Sequence, residues 1–308
     1  MKKIMYIFIL LGFLLYILLF PEDAVKAAAL GLDLWYRNML PTLLPFSILS
    51  YIFIQSGILD GLAGYLHRAV KHVFPVSSAG IYPLVAGLLF GFPMGSKITA
   101  DLVKSGKMTW EEGQRLFCVC NNISPMFIAS FLLNESLGRP DLKIQTYLIL
   151  YAPPLILYML LNRNRDFSSP EHAALSQKTE KTTSMSFQII DAGIMNGFET
   201  LAKLGGYIII FAILAQMAML LPVPNPAFTS ILVGFTEITN GIAYTARQGM
   251  EFQAAYPLLM AYTAFGGLSG FAQTASMVKE CGFSMVPYFL MKVFQTACAF
   301  SLALLFLC

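Results

Sequence analysis

Polar side chains interrupt an otherwise greasy chain at a few places, and chemistry would have to happen there. Hydrophobic residues make up 57% of the sequence and charged residues only 12%. Cys120-Asn121-Asn122-Ile123-Ser124-Pro125 breaks one apolar run. Pro125 lacks a backbone N–H and frees carbonyls one turn earlier, while Asn121, Asn122 and Ser124 add donors and acceptors. Phe235-Thr236-Glu237-Ile238-Thr239-Asn240-Gly241 reads as the equivalent break later in the chain. Unpaired polar groups are costly in hydrocarbon, and an intramembrane carboxylate such as Glu237 is a functional candidate by default. It could accept a hydrogen bond from a ligand hydroxyl or exchange a proton. The structural alternatives are interhelical hydrogen bonding at 120–125 and pairing of Glu237 with Lys203 or Lys292.

Glycines mark two further places. Gly87, Gly91 and Gly95 are spaced by four, and so are Gly266 and Gly270. Such spacing lets helices approach closely, or marks hairpin tips whose backbone N–H groups meet a ligand. Ser96, Lys97, Thr99 and Asp101 flank the first set; Ser269, Gln273 and Thr274 flank the second. Lys97 and Asp101, one helical turn apart, are also spaced to pair with each other. The candidate substrate-binding residues are therefore Ser96, Thr99, Asn121, Asn122, Ser124, Glu237, Thr239, Asn240, Ser269, Gln273 and Thr274.

Composition excludes several classes. Soluble domains carry about 25% charged residues, twice the share found here. A net charge of +3 is too small for a nucleic-acid footprint. The five cysteines, Cys118, Cys120, Cys281, Cys298 and Cys308, form no C-x-x-C and lie in apolar stretches, which argues against a metal site or structural disulfide. Gly91–Lys97 lacks the spacing of a phosphate-binding loop. His67, His72 and His172 are scattered, and no paired catalytic constellation occurs, so no enzyme and no cofactor is expected.

The elements that position these residues are membrane helices. A bilayer core needs about 20 apolar residues in helical form. Ile4–Phe20, Met39–Ser56, Leu116–Leu133, Ile144–Leu161, Leu204–Leu221, Phe228–Thr245 and Met285–Leu307 qualify as spans. Ile81–Leu102, broken by Gly91, Pro93 and Gly95, and Tyr256–Val278, broken by Gly266, Gly267 and Gly270, read as re-entrant hairpins, tolerated where protein or a wet cavity shields them. The fold expected is an all-α polytopic membrane protein of about eight membrane helices or segments, in two repeats with re-entrant hairpins and broken helices.

Four parts follow: an uncleaved N-terminal anchor at 1–23, a first repeat at 24–161, a polar cytoplasmic linker at 162–187 and a second repeat at 188–308. Lys2, Lys3, His67, Arg68, Lys71, His72, Lys104, Lys107, Arg163, Arg165, Lys178 and Lys181 all fall on the cytoplasmic side of one topology. The repeat is suggested by Tyr82-Pro83-Leu84 against Tyr256-Pro257-Leu258, with Gly91, Gly95, Thr99 and Lys104 matching Gly266, Gly270, Thr274 and Lys279. Transporter repeats often have inverted topology around a midplane site.

Gly91-Phe92-Pro93-Met94-Gly95-Ser96-Lys97-Ile98-Thr99-Ala100-Asp101-Leu102, with Gly106, Glu111, Glu112, Arg115-Leu116 and Cys120–Pro125, resembles the Gate domain shared by nucleoside-recognition proteins and the ferrous iron transporter B. Within it, these residues and Met39–Phe46 resemble the YlbJ-type sporulation integral membrane proteins. The resemblance implies a multi-pass cell-membrane protein related to concentrative nucleoside transporters, with a role in sporulation. It also implies that Asn121, Asn122 and Ser124, with Glu237, Asn240, Ser269 and Gln273, hold a small polar solute. The expected partners are that solute, the lipid bilayer and a coupling ion, H+ or Na+; a homo-oligomer is left open, and nucleic acid is excluded. The leading function is a transporter or permease of a nucleoside-like solute. The alternative is a non-transporting membrane assembly protein required for spore envelope (cortex) formation.

Overall fold

The computed structural model describes residues 2–56, 67, 74–165, 167, 187–223 and 225–307. Most of the 162–187 linker, with Lys178, Lys181 and His172, lies outside them, as do Arg68, Lys71, His72 and Cys308. Helices α1 (Lys2–Leu19), α2 (Pro21–Leu34) and α3 (Leu40–Ser56) come first, with α2 and α3 joined by a wide π turn over Trp35–Met39. Next come α4 (Ile81–Phe90), α5 (Met94–Lys104), α6 (Trp110–Leu116) and α7 (Pro125–Phe127), the last continuing in π turns over Ile128–Ser136. Helix α8 (Lys143–Asn162) closes the first half. The second half holds α9 (Phe187–Met219), α10 (Pro226–Thr236), α11 (Ile238–Arg247), α12 (Phe252–Phe265), α13 (Gly267–Val278) and α14 (Met285–Leu307). No strand occurs among the described residues.

Pro21–Ser56, Pro140–Asn162, Phe187–Met219 and Met285–Leu307 are long and apolar enough to cross a membrane, and Leu10–Leu19, Ile81–Phe90 and Pro226–Thr236 are shorter apolar helices. Large apolar side chains such as Leu148, Leu160, Leu290 and Leu305 point outward, as a lipid solvent permits. The chain is a multi-pass membrane protein.

Helices α4 and α5 lie side by side as a hairpin. Gly91, with φ +79°, makes the turn, and the backbone at Gly87 and Gly95 presses on the Cys120 carbonyl so closely that a Cβ on either would collide with it. The second hairpin is not where the glycine pattern placed it. Helices α12 and α13 do not lie against each other; the left-handed Gly266 merely breaks one helix into two successive pieces. The hairpin is instead α10 with α11, read from sequence as a plain span. Its halves touch through Gly234 and Gly241, where a Cβ on Gly241 would strike the Gly234 backbone. The Tyr-Pro-Leu match thus aligned a hairpin with a broken helix. The cause is that similar glycines serve different neighbours: Gly87 and Gly95 admit a carbonyl, whereas Gly270 admits the Phe92 ring. Glu237 consequently sits at a hairpin tip, as Gly91–Pro93 does, and not in a helix break like that at 120–125.

In chain order, α3 is followed by the α4–α5 hairpin, the break between α6 and α7, and α8, and α9 is followed by the α10–α11 hairpin, the break between α12 and α13, and α14. The two broken helices run in opposite senses. At one end of the bundle Lys104 pairs with Glu280, Trp110 Nε1 donates to the Cys281 carbonyl at 2.9 Å, and Gln114 and Ser284 exchange two hydrogen bonds. At the other end the Arg139 guanidinium lies 4.7 Å over the Phe252 ring, and Thr146 bonds the Tyr256 hydroxyl at 2.9 Å. Helices α3 and α9 are likewise antiparallel, with Gly193 against Ile52 and Gly197 against Leu44. Each main core cluster mixes residues of both halves: Phe283 and Tyr288 join the cluster around α4–α5, and Leu132 and Ile149 join the one around α11–α12.

Candidate functional site

The free ends of two half-helices are capped by side chains. Ser124 caps α7, accepting from Phe127 N at 3.2 Å, with Pro125 in the first position, which needs no donor. Glu237 caps α11: Oε1 accepts from Thr239 N at 3.1 Å, and Oε2 accepts from Asn240 N at 2.8 Å and Asn240 Nδ2 at 2.9 Å. The carboxylate is 5% exposed and lies at the positive end of a helix dipole, which favours an anion. No hydrogen bond or ion pair joins it to Lys203 or Lys292 among the described residues; Lys203 pairs with Glu199.

Each hairpin tip docks on the break of its own half. Phe92 N donates to the Asn122 carbonyl at 2.7 Å. At the second tip, a Cβ on Gly267 would stand 3.3 Å from Ile238 N and from the Thr236 carbonyl. Phe92 then crosses to the other half and rests on Gly266 and Gly270. A cavity of about 550 Å³ lies where the two tips and two breaks meet. Its polar edge includes Ser124, Glu237, Thr239, Ser269 and Gln273; much of the rest is apolar, including Leu43, Phe90, Phe92, Ile123 and Ile208. An apolar pocket with a few placed polar groups is the usual form of a small-molecule site.

Five of the eleven expected residues therefore share the cavity, and six do not line it. Asn121 Nδ2 donates to Thr274 Oγ1 and, at 2.9 Å, to the Tyr288 hydroxyl, so Asn121 and Thr274 knot the two broken helices together. Asn122 Oδ1 accepts from Gln295 Nε2 at 3.0 Å. Thr99 turns back on the Gly95 carbonyl at 2.8 Å. Asn240 serves Glu237. Ser96 is wholly buried, with no partner for its hydroxyl. Lys97 does pair with Asp101, at 2.6 Å, and also donates to Asn196 Oδ1 at 2.7 Å. Within the cavity, Gln273 Nε2 donates to Ser269 Oγ at 2.9 Å, leaving the Gln273 carbonyl as an acceptor for a ligand.

Sequence reasoning missed Arg37, Asn38 and Thr42, which line the cavity from the π turn and the start of α3. Arg37 pairs with Asp33 one turn back. The signal was present: an Arg-Asn step lies ahead of Pro41 in an apolar stretch. Setting the span to begin at Met39 put both residues outside it. π turns inserted in α-helices recur at functional sites.

No protein-family model matches the chain, and no solved structure does. Over 89% of its own length and 75% of the relative's, the chain is 24% identical to the sporulation integral membrane protein YlbJ of Bacillus subtilis (strain 168).

Proposed function

We propose that the chain is a Gate-type transporter or permease of a small polar, nucleoside-like solute, built as an inverted repeat and acting in sporulation. One observation carries this proposal: the cavity at the junction of two hairpin tips and two broken helices, with Glu237, Gln273, Ser269, Thr239 and Ser124 at its edge. Broken helices near mid-membrane give ligand groups to a solute where unbroken ones would offer only side chains. The basic residues support an orientation. Lys104, Arg115, Arg163, Arg165 and Lys279 belong to the Lys104–Glu280 end, which we assign to the cytoplasm. Contacts between the halves hold that end together, as Arg139 on Phe252 and Thr146 on Tyr256 hold the other. The solute would accept from Gln273, Ser269 or Thr239 and donate to the Gln273 carbonyl or the Glu237 carboxylate, with its apolar face on Phe92. Alternating access would then break the contacts at one end while closing the other.

Uptake of labelled nucleosides and other spore-cortex-related solutes into proteoliposomes tests the proposal. Wild-type uptake should exceed that of Glu237→Ala for at least one solute. Equal signals across the whole set would remove transport.

A second reading has its own support in the Bacillus relative, whose name cites sporulation and no transported substance. In it the chain is a non-transporting membrane assembly protein needed for spore envelope formation. Defective spores from a deletion strain, together with no solute binding by the purified protein, would favour it.

A further inference from the structure

Lys292 takes no part in the cavity. It lies on α14, is 2% exposed, and does not line the pocket. Its ammonium is met by neutral oxygens: Gln295 Oε1 at 3.1 Å, the Ala264 carbonyl at 3.3 Å and Asn122 Oδ1 at 3.4 Å. The Tyr288 ring lies 5.8 Å away. The other ionisable groups near it are the Cys118 and Cys120 thiols. No carboxylate pairs with it among the described residues.

The oxygens come from places the fold has opened. Ala264 stands two residues before the left-handed Gly266, where the helical ladder that would use its carbonyl stops. Asn122 lies in the other break, and Gln295 lies one turn along α14. Their amides are held with oxygens toward Lys292. Gln295 Nε2 donates to Asn122 Oδ1 at 3.0 Å and to the Leu150 carbonyl at 2.9 Å, while Asn122 Nδ2 donates to the Val119 carbonyl at 2.7 Å.

A lone charge at membrane depth is costly. Proteins offset that cost for a desolvated monovalent cation with a group of oriented neutral oxygens. A structural ion pair would have used a carboxylate here. We propose that Ala264, Asn122 and Gln295 form an intramembrane monovalent-cation site whose occupant is the chain's own Lys292 ammonium, tying one broken helix to the other where a free sodium or potassium ion would otherwise sit. The site stands on this geometry alone. Its role in coupling rests on the transport proposal, under which solute movement needs no metal ion at this position.

Melting of the purified full-length protein, in sodium, potassium or choline chloride at equal ionic strength, tests the site. Wild type should melt at one temperature in all three. Lys292→Ala leaves the oxygens and empties the space; it should melt lower in choline chloride and regain roughly 4 °C or more, saturably, in sodium or potassium chloride. Lys292→Met fills the space without charge and should regain nothing. A Lys292→Ala melting temperature equal in all three salts overturns the proposal, and so does a wild-type rise as large as the variant's. If Lys292→Ala yields no folded protein in choline chloride, expression and purification in sodium or potassium chloride should recover it, and no recovery overturns the proposal. None of these measurements needs transport, so absence of uptake and absence of the cation site are separate results.

Discussion

The Phe92 ring, on the tip of the first hairpin, lies over Gly270 of the second broken helix, its edge 3.0 Å from where a Gly270 Cβ would stand. The two halves meet here through an aromatic ring and a missing side chain. Gly270→Val should drive the ring off its seat and lower stability by about 1–3 kcal/mol, the usual cost of overpacking. Phe92→Ala in the same chain should return part of that loss. Thermal melting of both single variants and the double variant measures the coupling; strict additivity would show that the ring and the glycine do not constrain each other.

The capping role of Glu237 and the solute role given to it by the transport proposal separate experimentally. As a cap it holds Thr239 N and Asn240 N, so Glu237→Ala should cost about 1–2 kcal/mol of stability. Glu237→Asp keeps a carboxylate and most of the capping ability but withdraws it from the cavity. We expect Glu237→Asp to melt close to wild type while losing most solute uptake. Uptake that tracks melting temperature through both variants would leave the carboxylate a structural part only.

At the proposed cytoplasmic end, the hydrogen bond from Lys104 holds the Glu280 carboxyl below its ordinary value of 4.5. A depressed carboxylate stabilises the folded chain fully above that ordinary value, and the stabilisation fades as pH falls through the lowered one. Wild type should therefore lose melting temperature on acidification below about pH 4.5 more steeply than Glu280→Gln. The difference should be small and should shrink in high salt, because both side chains are substantially exposed. Identical acid limbs would show that the pair does not contribute.

Opposed entry of the hairpins is open to labelling. In a cysteine-free background, Lys104→Cys at the base of the first hairpin and Arg247→Cys at the base of the second should react with an impermeant maleimide from opposite faces of the membrane. Reaction from the same face would remove the inverted-repeat proposal and leave the cavity without its alternating gates.

Much of the scaffold was legible because hydropathy alone reports it: Ile144–Leu161 and Met285–Leu307 coincide closely with α8 and α14. The first hairpin was legible because Gly91 and Pro93 sit together at its turn. The second was not, because its turn carries neither signal. Glu237 turns that chain by capping α11 from an extended conformation, with φ −145° and ψ 120°, and a carboxylate in an apolar run reads equally as a ligand. Conversely, Gly266 and Gly267 look like a turn and only interrupt a helix. In the cavity, Ser269 and Gln273 were found because they flank the glycines that break the helix. Asn121 and Asn122 were equally visible, yet they face other helices, and spacing cannot tell an inward polar group that meets a ligand from one that meets a neighbour. Arg37 escaped because it sits beside the span boundary chosen at Met39.

The buried knot of Asn121, Thr274 and Tyr288 has a mechanical consequence. It fastens the break of the first interrupted helix to the last turns of the second and to the start of α14, so these three parts are tied as one keel. Under the transport proposal, the displacement that admits cargo falls to the paired arms resting on that keel, and a mutation that loosens the tie should blur both gates at once rather than jam one.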